Sequence, residues 1–155
     1  MPETVQQYIT RLLGYSSNRD GLKLQAAAPK KIAALLRGKD RRRLVKRPAP
    51  GKWSVAEILA HLADAEVAIG WRMRQILASN GIAVQAYDQD AWANAFGYAK
   101  RDPKQSLAAY SALRAANVVL LKSVPRSAWQ NYGQHAERGR ETIAHMVCNS
   151  PRAMT

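Results

Sequence analysis

The chain has 155 residues, 47% of them hydrophobic and 23% charged, with a formal charge of +13; that balance fits one globular domain over 1–155 and excludes a disordered chain. A single cysteine, Cys148, excludes an intrachain disulfide and favours a reducing compartment. The opening MPETVQQYITRLLGY lacks the basic start and apolar run of a signal peptide, and no apolar stretch approaches the roughly 18 residues of a membrane span, so a cytoplasmic protein is expected.

Helical periodicity dominates, without strand-like alternation or hairpin signals. A first helix is expected from about Pro2 to Leu13, with Val5, Tyr8, Ile9, Leu12 and Leu13 on one side. After the turn-forming SSNRDG, a second segment runs from Gly21 to Gly38, where glycine suits the position after a helix end. Pro29 interrupts it, as a kink or as the start of a fresh helix. Positive charge then concentrates: residues 39–52, KDRRRLVKRPAPGK, carry a net +6, whereas 53–99 carry −3. Such a block can hold phosphates or an acidic surface. A solvated linker is the preferred reading, because no aromatics interleave Arg41, Arg42 and Arg43 and no recognition-helix pattern follows. Nucleic-acid binding is therefore not the expected function.

The clearest element opens at Ser54. SVAE is a capping box, in which the Ser54 hydroxyl accepts from the Glu57 N–H and the Glu57 side chain returns to Ser54. Val55, Ile58, Leu59, Leu62, Ile69, Met73, Ile76 and Leu77 then form one apolar stripe until Asn80-Gly81. That helix is about 39 Å long at 1.5 Å per residue. A short amphipathic stretch with Trp92, Phe96 and Ala99 follows. Asp102-Pro103 starts another helix, expected to reach about Ser123, with Leu107, Tyr110, Leu113, Leu120, Leu121 and Val124 inward. Asn117 falls on the same stripe, where a buried amide can fix packing register. A last helix is expected from about Arg140 to Asn149, with Ile143, Met146 and Val147 inward, before Pro151.

These elements predict an all-α fold, an up-down four-helix bundle. The last helix, at about 15 Å, is less than half as long as the helix it should pack against. Either the bundle is open at one end or another chain covers the gap; an exposed apolar groove of that kind marks an interface, so a homodimer is expected.

Three histidines are candidates for chemistry: His61, His135 and His145. His61 lies about 100° from the centre of the Ser54 helix's apolar stripe and so borders the core. Asp64 is placed one turn on, where it can orient the imidazole. Glu66 falls within the stripe and must find a hydrogen-bond partner or a cation. No HxxxH or HExxH face exists, although Cys148 is three residues after His145 and can share its face. Neither a nucleophile elbow nor a glycine-rich phosphate loop is present.

The stretch RPAPGKWSVAEILAHLADAE resembles the signature of the DinB-like (YfiT-like) superfamily, with its proline-rich lead-in, KWS helix start and HLxxxE pattern at His61, Leu62 and Glu66. The likeness continues through AYDQDAWA, DPKQSLAAYSALRAAN and YGQHAERGRETIAHMV. It implies a four-helix bundle, commonly dimeric, in which many members bind a divalent metal such as zinc or nickel through three histidines. One of these corresponds to His61; the other two form an HxxxH pair on the last helix. It further implies metal-dependent hydrolases or thiol-dependent transferases, including those using bacillithiol and a mycothiol-dependent maleylpyruvate isomerase. The chain departs from the pattern where that pair should stand: the first of the two would fall near Ala153, and the tail CNSPRAMT loses the apolar period. The expectation is thus an atypical, truncated or frameshifted C-terminus and a metal site left with His61 alone. The alternative is a non-catalytic bundle retained for dimerisation or interaction.

Overall fold

The computed structural model of the protein describes Gln7 and residues 20–148. The helix expected over Pro2 to Leu13 and the tail 149–155 lie outside the described residues.

Over residues 20–148 six α-helices and a small sheet follow in order: α1 (Gly21–Leu36), α2 (Arg41–Val45), α3 (Val55–Ala78), β1 (Ala83–Val84), α4 (Gln89–Ala95), α5 (Pro103–Ser123), β2 (Tyr132–His135), β3 (Gly139–Thr142) and α6 (Ile143–Cys148). Short 3-10 turns at Tyr98–Lys100 and Arg126–Gln130 flank α5. No helix is long and apolar enough to cross a membrane among the described residues.

Capping sets most of the boundaries. Asp20, Asp40, Asp88 and Asp102 each accept backbone N–H groups at the start of the helix that follows them, satisfying donors that a helix leaves open. The capping box at Ser54 is formed: the Glu57 N–H donates to Ser54 Oγ at 3.2 Å, and the Ser54 N–H donates to Glu57 Oε2 at 2.8 Å. Arg47, arriving from the basic linker, also binds the Glu57 carboxylate. That guanidinium, aided by the Ser54 N–H and opposed by burial, pulls the Glu57 carboxyl down to about 2. The chain on both sides of α3's first turn is thereby tied to one carboxylate. In α1 the helix runs through Pro29 without a break.

Two helices, α1 and α3, both pack on α5, and the core lies toward the C-terminal ends of α3 and α5. Met73, Ile76, Val118, Leu121 and Trp129 meet Ile143 and Val147 of α6 there. Buried polar groups stitch α3 to α5. Glu66 is paired with Arg114 (2.6 Å) and accepts from the Asn117 amide (3.0 Å), so the stripe carboxylate finds both a cation and a hydrogen bond. Asn117 in turn accepts from Arg74 at 2.9 Å. The amide fits because residue 70 is glycine: a Cβ there would stand 2.6 Å from Asn117 Oδ1.

The expected all-α fold is corrected by a small sheet. β1 runs parallel to β2, and β2 pairs antiparallel with β3, giving a three-stranded sheet in the order β1-β2-β3. The chain is mostly helical rather than all-α, and the helix expected from Arg140 begins at Ile143. Its first residues belong instead to β3, and Thr142 Oγ1 accepts the His145 N–H at 3.1 Å to start α6. Gly139, at φ 70°, closes the hairpin in a conformation open to glycine.

The expected stripe on α3 also needs revision at its first turn. Val55 and Ile58 are exposed, at 38% and 43%. With Ile32, Leu35, Leu59 and Leu62 they line an apolar groove of about 470 Å³ between the end of α1 and the start of α3.

Gly70→Ala should therefore displace Asn117 from Glu66 and lower stability by about 1–3 kcal/mol, the usual cost of overpacking. Urea unfolding followed by circular dichroism measures it; an unchanged midpoint would show that Asn117 gives way freely.

Candidate functional site

The capping box places Trp53 directly before α3, and its ring lies 5.2 Å from the His61 imidazole, tilted by 60°. Across from it, Gly97 adopts a left-handed conformation (φ 60°) and turns the chain into the 3-10 segment carrying Tyr98. The Tyr98 ring meets Trp53 edge-on at 6.0 Å. Arg101 follows, with its guanidinium over the Tyr98 ring and Nη1 2.8 Å from Asp64 Oδ1. Residues from the lead-in, from α3 and from the turn before α5 thus converge on one patch.

Three polar atoms in this patch are buried: His61 Nδ1 has no hydrogen-bond partner, and Asp64 Oδ2 and the Tyr98 hydroxyl neighbour each other without a well-formed hydrogen bond. Unpartnered buried polar atoms are uncommon in native proteins and point to function. Burial pushes the His61 pKa below its ordinary value, opposed by the charges of Asp64 and Asp90. The Tyr98 phenol is pushed up, first by burial and then by the neighbouring Asp64 carboxylate. His61 is therefore a neutral imidazole and Tyr98 a protonated phenol. Nδ1 is buried, so a visiting molecule can meet the imidazole only at Nε2.

The face continues along α3. Asp88 and its capped helix α4 carry Trp92, stacked 4.4 Å from Tyr87 and 5.4 Å from Phe96. A groove of about 660 Å³ runs between this aromatic row and α3, lined by Val67, Trp71, Arg72, Tyr87 and Trp92 among others.

The candidate residues do not all gather here. Asp64 lies beside His61 but binds Arg101 rather than orienting the imidazole, because a guanidinium offers a carboxylate the stronger, charge-assisted contact. Glu66 belongs to the α3–α5 core. His135 is buried on β2, where its Nδ1 accepts the N–H groups of Glu137 and Arg138. His145 is exposed on α6, and the Cys148 side chain is outside the described residues. Among the described residues no group of three His, Cys, Asp or Glu side chains is placed to hold a metal ion. Trp53, Tyr98, Arg101 and Arg72 were not legible as site residues. Of these, only Trp53 had a local signal, in its place one residue before the Ser54 cap.

The depressed values of His61 and His135 have a consequence for stability. The folded state binds fewer protons than the unfolded chain between the two sets of pKa values, so stability is full above about 6.5 and declines as pH falls through the folded values. In a proton NMR titration the His61 ring should have its midpoint below about 6.5, and Asp64→Asn should lower it further. A midpoint above the ordinary value would contradict the desolvated site.

Comparison with known proteins bears on the same framework. There is no match among curated proteins. Among solved structures, YfiT from Bacillus subtilis, described as a probable metal-dependent hydrolase with an unusual four-helix bundle topology, superposes with a TM-score of 0.76 at 21% identity, over 82% of this chain and 73% of its own. The mycothiol-dependent maleylpyruvate isomerase superposes with a TM-score of 0.63 at 12% identity, over 90% of this chain and 54% of its own. The chain thus spans about half the length of that isomerase, and at these identities the likeness is one of fold. The family model of the DinB superfamily matches residues 26–148. The match takes in α3 with His61 as well as the sheet, and the chain belongs to the DinB superfamily.

Proposed function

We propose that the protein is a DinB-type enzyme of small-molecule chemistry, hydrolytic or thiol-transferring, in which His61 accepts the proton of an attacking water or thiol. The observation that carries this reading is the half-buried, neutral imidazole with a buried, unpartnered Nδ1, on the same side of α3 as the aromatic-lined groove further along the helix. A base acts best when it is uncharged at the working pH, and desolvation keeps this one so. For Nε2 to accept, the neutral ring carries its own hydrogen at Nδ1. As Nε2 takes the S–H or O–H proton, the sulfur or oxygen forms its bond to the electrophilic carbon, and the bond from that carbon to its leaving group (an alkoxide or a halide) breaks with its electron pair. The imidazolium gives its proton to the departing group or to water. The Tyr98 phenol, fully buried beside Asp64 and edge-on to Trp53, shapes the wall of this site rather than touching the substrate.

A divalent metal ion does not fit the site well, although YfiT is described as probably metal-dependent. Catalytic zinc takes three protein ligands. His61 and Asp64 supply two donors, one Asp64 oxygen is held by Arg101, and a phenol pushed up in pKa is a poor third. Metal binding through His61 is favoured only by the buried Nδ1 and Oδ2, and it would need a further donor beyond those that the described residues supply. The apolar groove beside Val55 and Ile58 supports a homodimer through that face, which is also the form a non-catalytic interaction module would take.

Two measurements separate these readings. Hydrolysis of an activated ester and conjugation of a small thiol to an aryl halide should each be followed against pH, with and without chelator. Under the proposal one of them shows an acid limb below about 6.5, persists with chelator and falls by about 10²–10⁴ in His61→Ala. Elemental analysis of the native protein should find less than about 0.1 equivalents of divalent metal. Near-stoichiometric metal that His61→Ala abolishes would replace the base by a ligand. A dimer without either activity would favour the interaction module.

A further inference from the structure

Three turns beyond His61 on α3 stands a group that the reaction above does not use. Arg72 is only 6% exposed. Its Nη2 donates to the Gln85 carbonyl at 2.6 Å, and its guanidinium lies 5.7 Å from the centre of the Tyr87 ring. No carboxylate among the described residues pairs with it. A buried guanidinium without a counter-ion is expensive, and neither a backbone carbonyl nor an aromatic face removes the charge.

The surroundings add to the positive potential. Arg72, Arg138 and His135 converge on a small cavity of about 160 Å³, with Tyr87 and Gln89 on its wall and Glu137 also lining it. Since His135 Nδ1 accepts two backbone N–H groups, the proton of its neutral ring sits on Nε2, which makes it a donor. Arg138 is held by Glu141 at 3.1 Å, so Arg138 has a carboxylate partner and Arg72 does not. Arg72, Ala86 and Tyr87 line both this cavity and the 660 Å³ groove, so the two spaces adjoin. The groove offers Trp71, Trp92 and Val67 to a flat apolar body.

The geometry points to an anion subsite: the cavity at Arg72, Arg138 and His135 receives the carboxylate or phosphate of a small organic molecule whose aromatic or apolar part lies in the adjoining groove. This deepens the reading of the α3 face as a small-molecule site and rests on it for its use. Its test reads binding alone, so a failure here leaves the His61 chemistry to be judged by its own assays. Guanidinium contacts to an oxyanion are charge-assisted and lose most of their value with a neutral isostere.

The probes are 2-naphthoate, 2-naphthyl phosphate and the neutral 2-naphthamide, titrated into the full chain with tryptophan fluorescence and the His135 ring resonance as readouts. The anions should bind at least about tenfold more tightly than the amide and move the His135 signal; whichever anion binds more tightly identifies the oxyanion preferred. Arg72→Gln should remove the preference for anions. Should that variant fail to fold, Arg138→Gln, at an exposed position, should weaken the anions by about threefold to tenfold, and Glu137→Gln should strengthen them. The net charge of +13 attracts anions everywhere, so Arg41→Gln with Arg42→Gln serves as control and should change nothing. Equal affinity for anion and amide, absence of binding by either anion, or an equal loss in the control pair would overturn the subsite.

Discussion

A carboxylate placed inside a helix interface dictates much of what surrounds it. Glu66 sits on the face of α3 that packs on α5, only 3% exposed, and leaving it unpaired there would cost several kcal/mol. Arg114 and Asn117 answer it from α5, one turn apart along the same face. Because these partners are fixed in position, only one axial register and one rotation of the two helices satisfy them together. Gly70 removes the side chain that would block the amide, and Arg74 takes up the remaining Asn117 oxygen.

That rotation decides where the rest of α3 points. At 100° per residue, His61 lies about 140° from Glu66, while Arg72 falls within about 20° of His61. Locking Glu66 against α5 therefore turns His61 and Arg72 together toward the segment carrying Tyr87, Trp92 and Tyr98. Asp64 strengthens the arrangement from the other side, since its bond to Arg101 ties the turn before α5 back to α3. A polar interface sets the register, and the open face inherits it.

How much of this could be read from residues alone followed the range of the interactions. Ser54 with Glu57, and Asp102 with Pro103, are local patterns, and both helices begin where these place them. The need of Glu66 for a partner was legible from its place on the stripe, although the identity of that partner was not. The sheet was missed because its inward positions are Gly133 and His135, so burial alternates while hydrophobicity does not. Gly133 is small because a Cβ would stand 2.6 Å from Val84 Cγ1, a contact between residues far apart in sequence. Asp64 was read as a partner for His61 because the two are one turn apart; Arg101, 37 residues away, wins by charge. Val55 and Ile58 continue the apolar period but face a groove, since periodicity tells which residues share a side and not whether anything covers it.

The two imidazoles of the α3 face and the sheet show one outcome reached by different physics. Burial is the main cause of the low pKa in each. At His61 the nearby charges, Asp64 and Asp90, are negative and oppose it, whereas at His135 the largest charge effects come from Arg138 and Arg72 and reinforce it. His61 is consequently the more easily protonated of the two for the same degree of desolvation, which suits the proposed role of accepting a proton. His135 is held neutral as a fixed donor. Eleven residues separate His61 from Arg72, about 16 Å along the helix, roughly twice the screening length in physiological salt. An acidic end and a basic end can therefore coexist on one face without cancelling.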